Sequence, residues 1–125
     1  MASLTAKSFY LHLTDNMLLL SHPFQTTNWR TIEKIKYAGE KGFALWQTIM
    51  MGDMRIRMVE YSAGYVADHW CNKGHVIYCI KGKMKTELQD GRKMKMKKGM
   101  TYHVGDDTEA HRSTSKKGCT LFIVD

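Results

Sequence analysis

The sequence predicts an all-β fold, an antiparallel sandwich or barrel in a single domain, and three observations carry that expectation. No helical periodicity is sustained past Tyr37. Apolar and polar residues alternate in short runs, most plainly over Met54–Tyr61 and Lys93–Lys97, which is the period of a half-buried strand. Turn residues recur between those runs, dividing the chain into roughly nine or ten short strands. At 125 residues the chain is long enough to bury one core without disulfides, and it contains no internal repeat, low-complexity tract or linker.

Taken in order, residues 1–28 are expected to form an N-terminal extension and lead-in strand, with the barrel proper over 29–125. Phe9, Leu11 and Leu13 alternate with Tyr10, His12 and Thr14, and 17–20 is a short apolar run. Met17 is an alternative start, which would make the residues before it dispensable. Pro23 marks an extended lead-in. From Trp29 onward the pattern predicts strand after strand. Residues 31–37 carry Ile32 and Ile35 among charges, and 39–42 is a turn. Phe43–Met51 and Met54–Tyr61 flank the hairpin signal Gly52-Asp53, and in the second strand Met54, Ile56 and Met58 face away from Arg55, Arg57 and Val59. Residues 62–64 end that strand, 75–80 forms the next, and Gly82 lets the chain run on into 83–88. Asp90-Gly91 is the expected centre of a two-residue hairpin leading to Lys93–Lys97. Strands over 100–104 and 111–113 follow, and Cys119–Val124 is an apolar run expected to lie centrally in the sheet.

Composition limits the function classes. The formal charge of +7 and pI near 9.4 invite a nucleic-acid reading. The lysines argue against it: in 83–85 and 93–97 Lys alternates with Met, as on strands with Met inward and Lys in water, and no aromatic residues are interleaved to stack bases. No apolar run approaches the ~20 residues of a membrane helix, and no signal peptide is evident, so a cytoplasmic protein is expected. Three cysteines, an odd number, fit reduced thiols rather than a disulfide framework.

Residues 68–82 read D-H-W-C-N-K-G-H-V-I-Y-C-I-K-G and place His69, Cys71 and His75 close together, each able to give a metal a nitrogen or sulfur ligand. If 69–71 is extended, His69 and Cys71 share a face and Trp70 points the other way. The bend at Asn72-Lys73-Gly74 then returns His75 beside them. His111 is the best candidate for a fourth ligand. Close His and Cys pairs also arise by chance, and buried Cys often serves as a small hydrophobe, but three candidates on one strand-turn-strand favour a metal.

The same residues give the chain a resemblance to the cupins. Gly64 leads a first motif in which His69 takes the first histidine position, Cys71 the second and His75 the acidic position, and Val76 to Lys81 fill the interval before Gly82. Gly99 leads a second motif that reaches its histidine at His111, and residues 83–98 separate the two. The resemblance covers about 43–125 and is closest to small single-domain cupins with the run Asp68-His-Trp-Cys71. It implies a jelly-roll barrel holding one divalent metal in its mouth, with His69, Cys71, His75 and His111 as ligands.

A set of imidazoles and one thiolate is softer than imidazoles with a carboxylate, and favours Zn(II), with Fe(II), Ni(II) and copper behind it. Four bound ligands make a closed, structural site; if Cys71 or His75 stays off the metal, a position is open to water or substrate. Around it, Arg112 and Lys73 are candidates for an anion, Tyr61, Tyr78 and Tyr102 for hydrogen-bond donation, and Glu60 and Glu109 for acid or base work. Asp68 is a candidate to orient His69. The expected function is a small metal-binding cupin, acting on or sensing a small molecule, with a metal-dependent oxidoreductase as one form of it, and a homodimer is expected. The alternative is a non-enzymatic binding barrel whose His/Cys cluster is structural.

Overall fold

A computed structural model describes residues 21–125. The lead-in strand expected around 9–14 and the apolar run 17–20 lie outside the described residues. The expected strand over 31–37 is shorter than its pattern suggests. Asn28 caps a 3-10 turn at Trp29–Thr31, accepting from the Arg30 backbone N–H at 3.2 Å, and Gln47 Nε2 pins the turn by donating to the carbonyls of Trp29 and Ile32 at 2.6 and 2.9 Å. Strand β1 therefore begins only at Ile35 and runs Ile35–Ala38.

The next strands have the bounds that their flanking turns imply: β2 Phe43–Met51 and β3 Met54–Tyr61, joined at Gly52-Asp53. There follow β4 Tyr65–Val66, β5 His75–Leu88, β6 Lys93–Lys97, β7 Thr101–Val104, β8 His111–Ser115 and β9 Cys119–Val124. All pairings are antiparallel, in the order β1-β2-β3-β9-β5-β8-β4, with β6 and β7 also paired to β5. This is the curled all-β sheet of a jelly-roll half-barrel. Among the described residues no helix is long and apolar enough to cross a membrane.

Strand β5 belongs to both leaves of the curl. Its first half pairs with β7 and β9, its second half with β6 and β8, and an irregularity between Cys79 and Lys81 marks the change. The β5–β6 connection is a three-residue loop rather than the expected two-residue one. The Gly91 N–H donates to the Leu88 carbonyl at 3.0 Å, the Leu88 N–H donates to Arg92 at 2.8 Å, and Gly91 has φ 95°. That is a turn followed by a left-handed bulge residue, which only glycine adopts without strain. The Lys/Met alternation resolves as expected for Met84 and Met96, which pair and are buried, whereas Met94 pairs with Thr86 near the hairpin's end and is exposed.

The core fills the space between the leaves with Ala44, Val59, Ile77, Cys79, Met84, Met96, Cys119, Leu121 and Ile123. Fully burying side chains such as Ile77, Val59 or Leu121 contributes roughly 1.5–3 kcal/mol each. On β3 the inward face is the one carrying the arginines: Arg57, Val59 and Tyr61 lie opposite Ile123, Leu121 and Cys119 of β9. Charged side chains thus enter the interior at the β3 end nearest Asp125, and this polar end holds the candidate site.

Candidate metal centre

Cys71 and His111 are brought together by backbone pairing. Each donates its N–H to the other's carbonyl, at 2.8 and 3.0 Å, so they form an antiparallel bridge with side chains on one face. His75 arrives from the other leaf, at the first position of β5. Between them the 72–74 turn lies against the β7–β8 loop: the Gly74 N–H donates to Asp106 Oδ1 at 2.7 Å and the Asp107 N–H to the Asn72 carbonyl at 2.9 Å. A side chain at position 74 would meet the Asp106 nitrogen at 2.6 Å, so glycine sets how closely this turn approaches.

The result is a cluster in which one ligand atom from each of Cys71, His75 and His111 lies within 4.8 Å of the others. The Nε2 atoms of His75 and His111 are 2.8 Å apart, and the His75 side chain is 7 % exposed. Each ring's other nitrogen faces an oxygen: His111 Nδ1 is 2.9 Å from the Glu109 carbonyl and His75 Nδ1 3.4 Å from Asp125 Oδ2. Those oxygens can only accept, so the Nδ1 positions carry protons, and each ring in its neutral form turns its Nε2 lone pair into the cluster. Oxygen partners on the outer ring nitrogen are the usual support of metal-bound histidines.

The electrostatics couple Cys71 and His111 as a thiolate–imidazolium pair, whose shared proton a bound metal would replace. The Cys71 thiol is held below its ordinary pKa, chiefly by the adjacent His111 imidazole and against the effect of burial, which favours the thiolate that binds metals. His111 is raised, principally by Cys71. Burial works to raise the Asp125 carboxyl, but His75 and the two arginines beside it prevail and hold it far below the usual carboxylate range. Tyr102, whose hydroxyl is 3.3 Å from His75 Nε2, is pushed up to about 12 by burial and stays a neutral hydrogen-bond donor.

His69 does not join the three. The chain bends at 68–69 instead of continuing extended, because the Asp68 carboxylate takes His69 Nδ1 at 2.6 Å, and the His69 side chain is 73 % exposed. Asp68 contacts His69 at the surface, but not as the support of a ligand, the role expected of it. Trp70, expected on the opposite face from the ligands, instead lines the same cavity, under the Arg112 guanidinium at 5.1 Å. That cavity measures about 380 Å³ and is also walled by Trp46, Tyr61, Tyr65, Tyr102, Lys73, Arg55, Arg57 and Asp125. Of the other candidates, Tyr78 lies exposed on the outer face, Glu60 pairs with Lys34, and Glu109 contributes its carbonyl to His111 while its carboxylate pairs with Arg92. Cys79 and Cys119 are free and buried; burial raises both thiols, that of Cys119 to about 11.

The residues missed from sequence are Arg55, Arg57 and Asp125. Asp125 Oδ1 accepts from Arg55 Nε at 2.9 Å, and Oδ2 accepts from Arg55 Nη2 at 3.0 Å and Arg57 Nη2 at 2.8 Å, all inside the cavity wall. The available signal was that the alternation of β3 put both arginines on the same face as Val59.

No protein-family model matches the sequence, and no curated protein does either. Solved structures do match. A protein described as a predicted oxalate decarboxylase from Thermotoga maritima is 12 % identical, with 80 % of this chain and 96 % of that one covered at a TM-score of 0.68. Ectoine synthase from P. lautus is 17 % identical over 81 % of this chain and 76 % of its own, with a TM-score of 0.66. An RmlC-like cupin from Shewanella frigidimarina is 16 % identical, covering 84 % of this chain and 92 % of its own at a TM-score of 0.63. At these identities the likeness speaks to architecture, and with the sheet order above it establishes that this chain has the cupin fold.

Proposed function

We propose that the chain is a metal-dependent cupin-fold protein that holds one divalent transition metal on Cys71, His75 and His111 and binds a small molecule beside it. The observation that carries this reading is the pair of Nε2 atoms 2.8 Å apart with the Cys71 thiol next to them. Two lone pairs at that distance repel unless a cation lies between them, and a thiolate in the same cluster suits a metal better than a proton. The donor set of one sulfur and two imidazole nitrogens favours Zn(II), with Fe(II) and Ni(II) behind it. Our reading takes three of the four residues singled out from sequence as ligands and leaves His69 at the rim.

With three protein ligands a bound metal would supply Lewis acidity at a position open to water or substrate. The protein's own groups do the rest. Asp125 fixes the His75 ring, the Glu109 carbonyl fixes His111, and Tyr102 offers a proton donor 3.3 Å from His75 Nε2. The aromatic walls exclude water from one side of whatever occupies the cavity. That three of the structurally similar proteins are described as an oxalate decarboxylase, an ectoine synthase and a sugar phosphate isomerase supports small-molecule chemistry of this general kind without selecting among the reactions.

The test is elemental analysis by mass spectrometry of tag-free protein, wild type beside His111→Ala. Wild type should carry about one equivalent of a single transition metal, and the variant should lose it while keeping its β-sheet circular dichroism. Metal absent from both, with added zinc and iron failing to bind, would overturn the reading.

A further inference from the structure

The cavity wall beside His75 carries more positive charge than it neutralises. Asp125 is fully buried and accepts from His75 and both arginines: Arg55 Nε and Nη2, Arg57 Nη2 and His75 Nδ1. Three of these four contacts fall on Oδ2 and one on Oδ1, so the carboxylate is committed to its own wall. It offers a single negative charge against two guanidinium groups, which stay charged. The Arg57 side chain is 6 % exposed, lies 4.3 Å over the Trp46 ring, and its Nε is buried without a hydrogen-bond partner among the described residues. An isolated buried cation is costly, and a fold selected for stability alone would place one arginine against one carboxylate. Arg55 is 31 % exposed toward the same cavity. Lys73, also on the wall, has no ion-pair partner among the described residues and adds charge of the same sign.

We propose that the cavity binds a small organic acid, its carboxylate on the Arg55 and Arg57 guanidinium pair and its apolar body against the aromatic wall. This rests on the reading of the cavity as the ligand site, but it does not need the metal. The guanidinium N–H groups that Asp125 leaves free match a carboxylate in charge, and the surplus of Arg55, Arg57 and Lys73 over Asp125 matches an anion. The volume of about 380 Å³ is that of a pocket for a small ligand, and Trp70 and Tyr102 give it apolar aromatic surface for a ring or short chain.

The probe pair is benzoate and benzamide, which share a shape and differ in charge, titrated by calorimetry and tryptophan fluorescence. Zinc-loaded and chelator-treated wild type are both used, because a carboxylate can also bind a metal directly. In metal-free wild type, benzoate should bind at least about tenfold more tightly than benzamide. Arg55→Gln, which leaves Arg57 paired with Asp125, should remove that preference with metal content unchanged, and Arg55→Lys should keep most of it. Equal affinity for the two probes, or an undiminished benzoate preference in Arg55→Gln, overturns the proposal. So does inorganic phosphate displacing benzoate as effectively as benzoate displaces itself, which would make the wall a general oxyanion site. Failure of the metal reading shows separately, as absent zinc with the benzoate preference intact.

Discussion

The first half of β5 lines two very different interiors within one strand. At its start His75 meets His111, Cys71 and the Asp125 carboxylate. Two and four residues on, the same face presents Ile77 and Cys79, 2 % and 0 % exposed, packed into an apolar core with Leu121 and Cys119. The cysteines register the contrast: Cys71 is shifted toward thiolate by its imidazole neighbour, Cys79 and Cys119 toward thiol by burial. Buried ion pairs are often replaceable by well-packed apolar residues at no loss of stability. The closed end therefore shows what this fold needs in order to stand, and the polar end what it carries for another purpose.

Removing the carboxylate is the largest blow to the polar end. Asp125→Asn leaves two guanidinium groups facing each other in the wall, and it should destabilise the protein by about 3–5 kcal/mol in urea unfolding. It should also weaken zinc binding roughly 10- to 100-fold, because the His75 ring loses its charged partner. A variant as stable as wild type would mean that the arginines find other partners and that the excess charge is not confined. The matching change at the closed end is Leu121→Ala, at a fully buried position of β9. Its expected cost is about 3 kcal/mol from lost burial and the cavity left behind. Zinc affinity should be unmoved, and a coupled loss of metal would show that the two ends are one unit.

How much of this was legible in the sequence depended on whether the deciding interaction was local. β2 and β3 could be bounded to the residue because Gly52-Asp53 and the 39–42 turn delimit them. The convergence of Cys71, His75 and His111 was legible from ligand chemistry and spacing, but the place of His69 was not. Alternation assumes an extended chain, and the Asp68 side chain bends it. Arg57 was opaque for a different reason. Alternation put it on one face of β3 without saying which face is inward, and its counter-ion lies 68 positions away. Trp29–Thr31 failed as a strand because Gln47, also distant in sequence, holds it in a turn.

The smallest effect sharpens the comparison most, since it uses the same substitution at both ends. Cys79→Ala removes a fully buried sulfur from a packed core and should cost about 1 kcal/mol, whether or not metal is present. Cys71→Ala removes a half-exposed sulfur from the cavity rim and should change metal-free stability by less than about 0.5 kcal/mol. Zinc at a hundred times its dissociation constant should stabilise wild type and Cys79→Ala by about 2.7 kcal/mol each. Cys71→Ala should gain much less at the same zinc concentration, so the ranking of the two variants inverts on adding metal. If zinc stabilises Cys71→Ala as much as wild type, the thiol is no ligand, and the histidine pair would have to bind the cation without it. If neither variant nor wild type responds, the lone pairs of His75 and His111 face one another for a structural reason, and the cluster belongs with the core rather than with the cavity.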